Sequence, residues 1–176
     1  GGFGITGVEN MITLIKILRE KDIPTLGICL GMQLMVIEFC RNVLMMENAG
    51  SSEFKNYSPN VISKMNDWSS TKYGGTMRLG NSKIHLSEYS KIKDIYQTNN
   101  ISERHRHRYD VNNTFSQGLE ENGFCITGRC FDHNLIEVVE LKTHPWYIGC
   151  QYHPEYQSTP FNPHPLFLSF IQHCIK

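Results

Sequence analysis

The sequence Gly27-Ile28-Cys29-Leu30-Gly31 restricts the fold of this chain more than any other feature. The segment in front of it, residues 22–26, is short and mostly apolar, which predicts a buried strand. Residues 32–40 behind it are apolar nearly all round, which predicts a buried helix. A cysteine between two glycines at a strand-to-helix turn is the pattern of a nucleophile elbow. The glycines permit the tight turn and the close approach of a substrate.

An elbow of this kind would make Cys29 reactive. The nucleophile is the thiolate, and the first turn of a helix favours it through unpaired backbone N–H groups and the positive end of the dipole. The N–H of Leu30 is expected to point toward the attacked atom and to donate to a developing oxyanion. On the elbow pattern alone, the alternative that Cys29 is a buried structural thiol stays open.

The order of the predicted elements indicates the fold class. Apolar positions in residues 9–21 recur with the spacing of one helical face, and this helix precedes the strand at 23–28 and the helix at 32–40. Such alternation predicts an α/β protein with a mostly parallel central sheet flanked by helices. The chain of 176 residues is long enough for one domain with its own core. The elbow would lie at the carboxyl end of a strand, where such sheets place their sites.

Composition argues against several classes of function. The 17 basic and 17 acidic residues cancel, which argues against a general nucleic-acid binder and against a membrane-surface protein. The sequence has no apolar run of about 18 residues, the length that a membrane-spanning helix requires. Six scattered cysteines without a C-x-x-C pair favour free thiols in a reducing compartment over a zinc site.

Two polar loops are candidates for a supporting role at the elbow. The chain begins with a glycine-rich loop, residues 1–7, and we expect the strand before it to lie outside the given sequence. This loop could supply a second backbone donor near Cys29, although flexible termini often have the same composition. Glu53 lies in the other loop, where a solvated carboxylate is the ordinary outcome.

Arginines and histidines alternate in the second half of the chain. In a strand, one face would carry Arg104, Arg106 and Arg108. The opposite face would carry His105 and His107. The cationic face could hold an anionic substrate group, or it could be a phosphate or nucleic-acid patch. For the histidines, a buried or stacked pair is favoured over a metal site, because further ligands are lacking nearby in the sequence.

The triplet His153-Pro154-Glu155 follows an apolar segment that predicts a strand. In extended geometry, which Pro154 favours, His153 and Glu155 project the same way, so the carboxylate can orient the imidazole and select its tautomer. His153 could then deprotonate Cys29 and later protonate a leaving amine. The triplet alone is a weak signal, but combined with the elbow it predicts a Cys-His-Glu triad.

The elbow and the triplet together resemble the class I, or triad, glutamine amidotransferases, and the resemblance implies their flavodoxin-like fold. Further motifs resemble the glutaminase domains of the CTP synthase family in particular and follow that family's order along nearly the whole chain. The arginine–histidine run is specific to that family, whereas all class I members share the elbow and the triplet. These further motifs are Gly1-Gly2-Phe3-Gly4, Ser52-Glu53-Phe54, Gly74-Gly75-Thr76-Met77-Arg78-Leu79-Gly80, Glu103-Arg104-His105-Arg106-His107-Arg108-Tyr109, Gly149-Cys150-Gln151-Tyr152-His153-Pro154-Glu155 and Asn162-Pro163-His164-Pro165-Leu166-Phe167.

The resemblance implies catalytic and substrate-binding roles for the matching residues. Cys29 would be the nucleophile, His153 the base and Glu155 the group that orients the base. No metal ligand is implied. The residues implied to bind substrate are Gly2, Leu30, Gly31, Met32, Gln33, Glu53 and Arg108.

The substrate-binding residues divide by the part of glutamine that they would contact. Gly2 and Leu30 would offer backbone N–H groups to the substrate or the oxyanion. Gln33 and Glu53 would hold the α-amino end, because an ammonium group donates and a carboxylate accepts. Arg108 would help to hold the α-carboxylate end.

The resemblance also implies an activity. Glutamine would be hydrolysed to glutamate and ammonia through a cysteine thioester, with no cofactor in this domain. The ammonia would serve the ATP-dependent amination of UTP to CTP on a synthase domain of the same polypeptide, which uses ATP and Mg and lies outside residues 1–176. The full protein would be a cytoplasmic homo-oligomer, tetrameric in the family, without nucleic acid or membrane as partners.

Some alternatives stay open. Thr6 stands where the family has arginine and Asn10 where it has glycine, in a loop that the family links to activation by GTP, so GTP activation is an open question here. Another class I amidotransferase or a γ-glutamyl hydrolase is the nearest alternative, and the family-specific motifs argue against it. A non-catalytic regulatory or assembly module is a further one, and the complete triad argues against that.

Overall fold

The computed structural model describes residues 2–54, 56–64 and 77–175. Gly1 and the first three residues of the 74–80 motif lie outside this part of the chain. Two 3-10 turns, Asn113–Phe115 and Pro154–Gln157, supplement the regular elements. The helices are α1 (Val8–Glu20), α2 (Leu30–Asn42), α3 (Lys91–Tyr96), α4 (Ser116–Glu121) and α5 (Pro165–Cys174). The strands are β1 (Thr25–Ile28), β2 (Gly50–Ser51), β3 (Asn60–Lys64), β4 (Arg78–Leu86), β5 (Asn100–His107), β6 (Tyr109–Val111), β7 (Phe124–Cys130), β8 (Ile136–Leu141) and β9 (Tyr147–Cys150).

Six of the described strands form a sheet in the order β1-β9-β8-β7-β4-β5, and β2, β3 and β6 form a smaller sheet. The α/β fold with flanking helices is confirmed, but the described large sheet is mixed and not mostly parallel. Only β1 and β9 are parallel in it, whereas the other four neighbouring pairs are antiparallel. The reason lies in the connections, because short links such as residues 131–135 and 142–146 can join only antiparallel neighbours.

Helices cover both faces of the large sheet. Val139 and Tyr147 belong to the apolar cluster that contains the buried side chains of α1 and α2. Their chain neighbours Val138 and Ile148 belong to a second cluster, with buried residues of α3 and α5. Because successive side chains of a strand point to opposite faces, α1 and α2 lie on one side of the sheet and α3 and α5 on the other.

Helix α2 is the most deeply buried helix among the described residues, and two glycines let it approach the sheet. Gly27 of β1 and Gly149 of β9 are partners in the parallel register. A Cβ atom on Gly27 would collide with Met35, and one on Gly149 would lie 2.9 Å from Cγ of Met32. This close packing fixes the start of α2 above the ends of β1 and β9. None of the helices in the described ranges has the length and apolar character to cross a membrane.

Candidate active site

Cys29 forms the turn between β1 and α2 and is buried. It has φ 53° and ψ −106°, a backbone conformation that non-glycine residues rarely adopt. Its N–H donates to the carbonyl of Cys150 at 2.8 Å, and its own carbonyl accepts from the N–H of Gln33 at 3.2 Å. Such strain persists only where the surroundings impose it, and it clusters at functional sites. The predicted strand–elbow–helix turn is therefore confirmed.

The parallel pairing of β1 with β9 brings the two halves of the sequence-predicted site to one edge. Ile28 is the register partner of Cys150, so Cys29 and Gln151 leave the sheet together. The Nε2 atom of Gln151 lies 3.6 Å from the Cys29 sulfur. His153 follows two residues later, and its backbone N–H donates to the carbonyl of Arg104 at 2.9 Å.

His153 and Glu155 form the orienting pair that the triplet predicts. Nδ1 of His153 lies 2.6 Å from Oε1 of Glu155, and the imidazole stacks on the Tyr156 ring with centroids 5.1 Å apart. Because the carboxylate accepts, Nδ1 carries the proton and Nε2 offers a lone pair. Nε2 is buried, and no hydrogen-bond partner for it lies within the described residues. The ring is thus arranged to accept a proton.

The route by which Glu155 reaches the ring differs from the extended geometry that the sequence predicts. Strand β9 ends at Cys150, and His153 precedes the 3-10 turn Pro154–Gln157. Proline suits the first position of a helical turn because its φ is already fixed there and its missing N–H is not needed. The turn, rather than an extended strand, presents the carboxylate to Nδ1.

The environment of Cys29 changes the expected balance between thiol and thiolate. Burial raises the pKa of Cys29 to about 11, while the Leu30 N–H, which hydrogen-bonds the side chain, acts in the opposite direction. The predicted help from the helix N-terminus therefore exists but is the smaller effect. At neutral pH the sulfur carries its proton, so the chemistry requires a base beside it.

The glycine-rich loop lies against the elbow. A Cβ atom on Gly2 would lie 3.4 Å from Cδ2 of Leu30, so Gly2 lies against the Leu30 side chain. The N–H of Gly4 donates to Oε1 of Glu53 at 2.9 Å, which ties the loop to that half-buried carboxylate. A Cβ atom on Gly31 would meet nothing within 4 Å, so there is open space at Gly31, two residues after the nucleophile in the chain.

Met32 and Gln33 occupy the first turn of α2 and are both buried. Met32 is fully buried, its backbone included. Nε2 of Gln33 donates to the carbonyl of Tyr109 at 2.8 Å and to Oε1 of Gln151 at 3.0 Å. Both N–H groups of the Gln33 amide are thereby used, and its Oε1 is the remaining acceptor.

The alternation of residues 104–108 is confirmed. The three arginines are exposed and the two histidines are buried, with Nδ1 of His105 3.0 Å from Nε2 of His107. The guanidinium of Arg104 lies 5.6 Å from the centre of the Tyr156 ring, on which His153 stacks. Arg108 is exposed at the bend between β5 and β6. The described residues contain no cluster of three His, Cys, Asp or Glu side chains that could hold a metal.

Two groups at this site were not assigned by the sequence analysis. The Gln151 amide contacts the Cys29 sulfur, and the Tyr109 carbonyl orients Gln33. A usable signal for Gln151 was its place in the 149–155 motif, directly after the strand that pairs with the elbow strand. For the Tyr109 carbonyl the sequence carries no signal, because a backbone acceptor leaves no trace in residue types.

Comparisons with known proteins agree with this geometry. The profile of the family "Glutamine amidotransferase class-I" matches residues 1–173. The chain is 49% identical to a CTP synthase of Rhodospirillum centenum and 49% identical to one of Aquifex aeolicus, in each case over 100% of this chain and 34% of the relative. The chain therefore spans about a third of the length of these curated relatives.

Solved structures agree as well. The glutaminase domain of Trypanosoma brucei CTPS with bound acivicin superposes with a TM-score of 0.89 at 36% identity, over 99% of this chain and 69% of that chain. A glutamine amidotransferase from Thermotoga maritima, with a TM-score of 0.52 at 15% identity over 87% of this chain and 54% of that one, shares the fold alone. From the profile, the relatives and the first of these structures, the chain belongs to the class-I glutamine amidotransferases, and within them to the glutaminase domains of CTP synthases.

Proposed function

We propose that this chain hydrolyses the side-chain amide of glutamine to glutamate and ammonia through a thioester on Cys29. The observation that carries the proposal is the state of His153. Its Nδ1 is held by Glu155 at 2.6 Å, and its buried Nε2 has no partner within the described residues. His153 lies two residues after Gln151, whose amide contacts the Cys29 sulfur. A base prepared in this way, two residues from a side chain that contacts the elbow cysteine, is suited to acyl transfer.

In the first half of the reaction, Nε2 of His153 takes the thiol proton and the Cys29 sulfur attacks the amide carbon of glutamine. The carbonyl oxygen becomes an oxyanion that accepts from the backbone N–H groups of Leu30 and Gly2. When the C–N bond breaks, His153 returns its proton to the leaving nitrogen. Ammonia departs and the glutamyl group remains on sulfur as a thioester.

In the second half, His153 removes a proton from water, and the resulting hydroxide attacks the thioester carbon. The C–S bond breaks, glutamate leaves, and the sulfur regains a proton from His153. Glu155 stabilises the imidazolium that forms in both halves without taking its proton.

The binding of glutamine follows from the charges around the elbow. Glu53 and the free Oε1 of Gln33 are acceptors suited to the α-ammonium group, and Arg108 is suited to the α-carboxylate. The open space beside Gly31 admits the side-chain amide to the sulfur. These assignments are supported by the position of Gly2 against Leu30 and by the tie between Gly4 and Glu53.

We further propose that residues 1–176 form the glutaminase domain of a longer CTP synthase. In that protein the ammonia would aminate UTP to CTP on a synthase domain that uses ATP and Mg, in a cytoplasmic homo-oligomer that is a tetramer. Support comes from the two curated relatives, which are CTP synthases about three times the length of this chain. Activation by GTP is not part of this proposal, because Thr6 in the N-terminal loop and Asn10 in α1 depart from the family pattern.

Affinity labelling tests the glutaminase proposal. The protein is treated with diazo-oxo-norleucine, an electrophile that mimics glutamine, and the adduct is mapped by peptide mass spectrometry. We expect one adduct on Cys29, blocked by glutamine and absent from Cys29→Ala. Lack of an adduct in a folded sample would contradict the glutaminase proposal and favour a non-catalytic module. A γ-glutamyl hydrolase would instead release glutamate from γ-glutamyl peptides faster than from glutamine.

A further inference from the structure

Gln151 is a buried amide at the nucleophile with no role in the mechanism described so far. It is the first residue after β9 and is fully buried. Its backbone N–H donates to the carbonyl of Glu137 at 2.9 Å, which fixes where the side chain begins. Its Nε2 lies 3.6 Å from the Cys29 sulfur, within hydrogen-bond reach of a sulfur acceptor. The amide therefore touches the atom that attacks the substrate.

The orientation of the Gln151 amide is fixed by its contact with the Gln33 amide. Nε2 of Gln33 donates at 2.8 Å to the carbonyl of Tyr109, which can only accept, and that contact determines which end of the Gln33 amide is nitrogen. The same nitrogen donates to Oε1 of Gln151 at 3.0 Å. The oxygen of Gln151 must face Gln33, so its nitrogen must face the sulfur. One backbone carbonyl thus orients two amides in series.

A hydrogen-bond donor at this position helps to form the thiolate of Cys29 in a buried site. Cys29 is buried, and burial opposes ionisation of its thiol. The positive ends of two N–H groups, from Leu30 and from Gln151, then face one sulfur. A hydrogen bond to an ionised acceptor is stronger than one to a neutral acceptor, so such donors favour the thiolate over the thiol.

We propose that Gln151 is a further catalytic residue, whose amide N–H donates to the Cys29 sulfur and stabilises the thiolate as it forms and attacks. Gln33 is the positioning residue that orients this amide, in addition to its proposed place beside the substrate. The inference rests on the proposed role of Cys29 as nucleophile. A merely structural Gln151 would link β9 to α2 and leave the ionisation of the sulfur unchanged.

The test compares two substitutions that remove the donor in different ways. Gln151→Met keeps the length of the side chain but has no N–H, and Gln151→Asn keeps the amide but is one methylene shorter. Gln117→Glu is the control, because Gln117 lies on exposed helix α4 and bonds only to Glu121 at 2.8 Å among the contacts described. Alkylation of Cys29 by iodoacetamide is followed from about pH 6 to above pH 10, with peptide mapping to separate Cys29 from the other cysteines.

We expect the midpoint of Cys29 alkylation to rise by about one pH unit in Gln151→Met, which is a tenfold smaller thiolate population at a given pH. Gln151→Asn should shift it in the same direction, and Gln117→Glu should leave it unchanged. The turnover number should fall about tenfold or more in both Gln151 variants, with KM changed less than about threefold.

An unchanged alkylation midpoint in a folded Gln151 variant would overturn the role of Gln151, even if turnover fell. If one variant does not fold, the other still decides, and a thermal melt shows which of them is folded. The outcome is separate from that of the glutaminase proposal. Absence of a diazo-oxo-norleucine adduct in the unsubstituted protein would contradict the glutaminase activity, whereas a shifted midpoint would still establish the donor at the sulfur.

Discussion

Two of the histidine–glutamate pairs among the described residues use their ring nitrogens differently. In the pair His153–Glu155, Nδ1 faces the carboxylate at 2.6 Å, Nε2 has no partner within the described residues, and the Glu155 side chain is 44% exposed. In the pair His164–Glu103, both side chains are only 4% exposed. There Nε2 lies 3.0 Å from the Glu103 carboxylate, while Nδ1 accepts from the Leu166 N–H at 3.3 Å and caps α5.

The difference shows what separates a catalytic pair from a structural one. The His164 ring is used at both nitrogens, and the Glu103 carboxylate also accepts from Tyr96 at 2.8 Å and from Gln157 at 2.9 Å. The His164 ring can therefore give up or take a proton only if one of these hydrogen bonds breaks. The His153 ring has a nitrogen with no hydrogen-bond partner among the residues that the structure describes, so it can take a proton and return it.

The structural pair also holds the catalytic one in place. Gln157 ends the 3-10 turn that carries Glu155, and its amide donates to Glu103. Tyr152, the residue before His153, lies 3.0 Å from the Tyr96 hydroxyl, which itself donates to Glu103. The buried pair therefore anchors the catalytic segment at both of its ends.

Exchanging each histidine for asparagine should separate the two roles most strongly. His153→Asn should lower the turnover number by about 10³-fold or more, because the general base is lost. Its free energy of unfolding should change by no more than about 1 kcal/mol, since Nε2 has no hydrogen bond to lose within the described ranges. His164→Asn should instead lower the free energy of unfolding by about 2–4 kcal/mol, because it leaves the buried Glu103 carboxylate short of a donor.

Both effects are measured in the same four proteins, namely the unsubstituted protein, the two single variants and the double variant. Glutaminase kinetics gives the turnover number, and urea unfolding gives the free energy of unfolding. Turnover is expressed per folded protein, with the folded fraction taken from the urea unfolding curve. On that scale His164→Asn should keep turnover within about tenfold of the unsubstituted protein. An equal loss of turnover from both substitutions in folded protein would remove the distinction between the pairs.

Replacing the glutamate of each pair with glutamine compares the two carboxylates, and the expected changes in turnover are smaller than those for the histidines. Glu155→Gln keeps an oxygen that can accept from Nδ1 of His153 but removes the charge that stabilises the imidazolium. We therefore expect a loss of about 10²-fold in turnover. KM should change less than about threefold, because Glu155 orients the base and does not hold glutamine.

Glu103→Gln is the matched control for that substitution. In Glu103, Oε1 faces the donors Tyr96 and His164, and Oε2 faces the donor Gln157. In the variant, one of these two oxygens is replaced by an NH₂ group, which cannot accept from the donors that it faces. We expect about 2–3 kcal/mol less stability toward urea and little effect on turnover per folded protein. A change in Glu155→Gln confined to KM would argue that this carboxylate contacts the substrate instead.

Local sequence patterns explain which parts of this structure could be predicted. The elbow was predictable because Gly27 and Gly31 flank a cysteine between an apolar strand and an apolar helix. The burial of His105 and His107 opposite the three arginines was predictable because strand alternation is a local rule. The mixed sheet was not predicted, because the first elements suggested parallel pairing and only the short later links reverse it.

Side-chain partnerships across the fold had no local signal. His164 and Glu103 are 61 residues apart, and Gln151 and Cys29 are 122 apart. The motif at residues 162–167 carried a family resemblance without a physical reason. The structure supplies one, since His164 caps α5 and binds Glu103. Likewise Gly80, with φ 99°, and Asn81 have the composition of a turn, although both lie inside the continuous strand β4.

A further histidine–carboxyl pair, His107 and Asp110, extends the comparison to the pH dependence of stability. Its substitution has the smallest expected effect of those described. Nδ1 of His107 lies 3.5 Å from Oδ1 of Asp110. Burial raises the pKa of Asp110 to about 8 and lowers that of His107 to about 3, so neither group is charged near pH 6. Because the folded protein keeps the Asp110 proton to a higher pH than the unfolded chain, the contribution of Asp110 to the free energy of unfolding should fall as pH rises from about 4 to about 8. The contribution of His107 has the opposite sign and should rise up to about pH 6.5, so the Asp110 contribution is read from the difference between the unsubstituted protein and Asp110→Asn. Asp110→Asn should remove this contribution. Between about pH 4 and about pH 8 the free energy of unfolding of the variant should fall by about 1–3 kcal/mol less than that of the unsubstituted protein, as measured by urea unfolding at both pH values. Ser116→Ala, at the half-buried first position of α4, removes no titratable group and should leave the slope as it is. An undiminished slope in Asp110→Asn would mean that another buried carboxyl, with Glu137 the first candidate, takes up the protons.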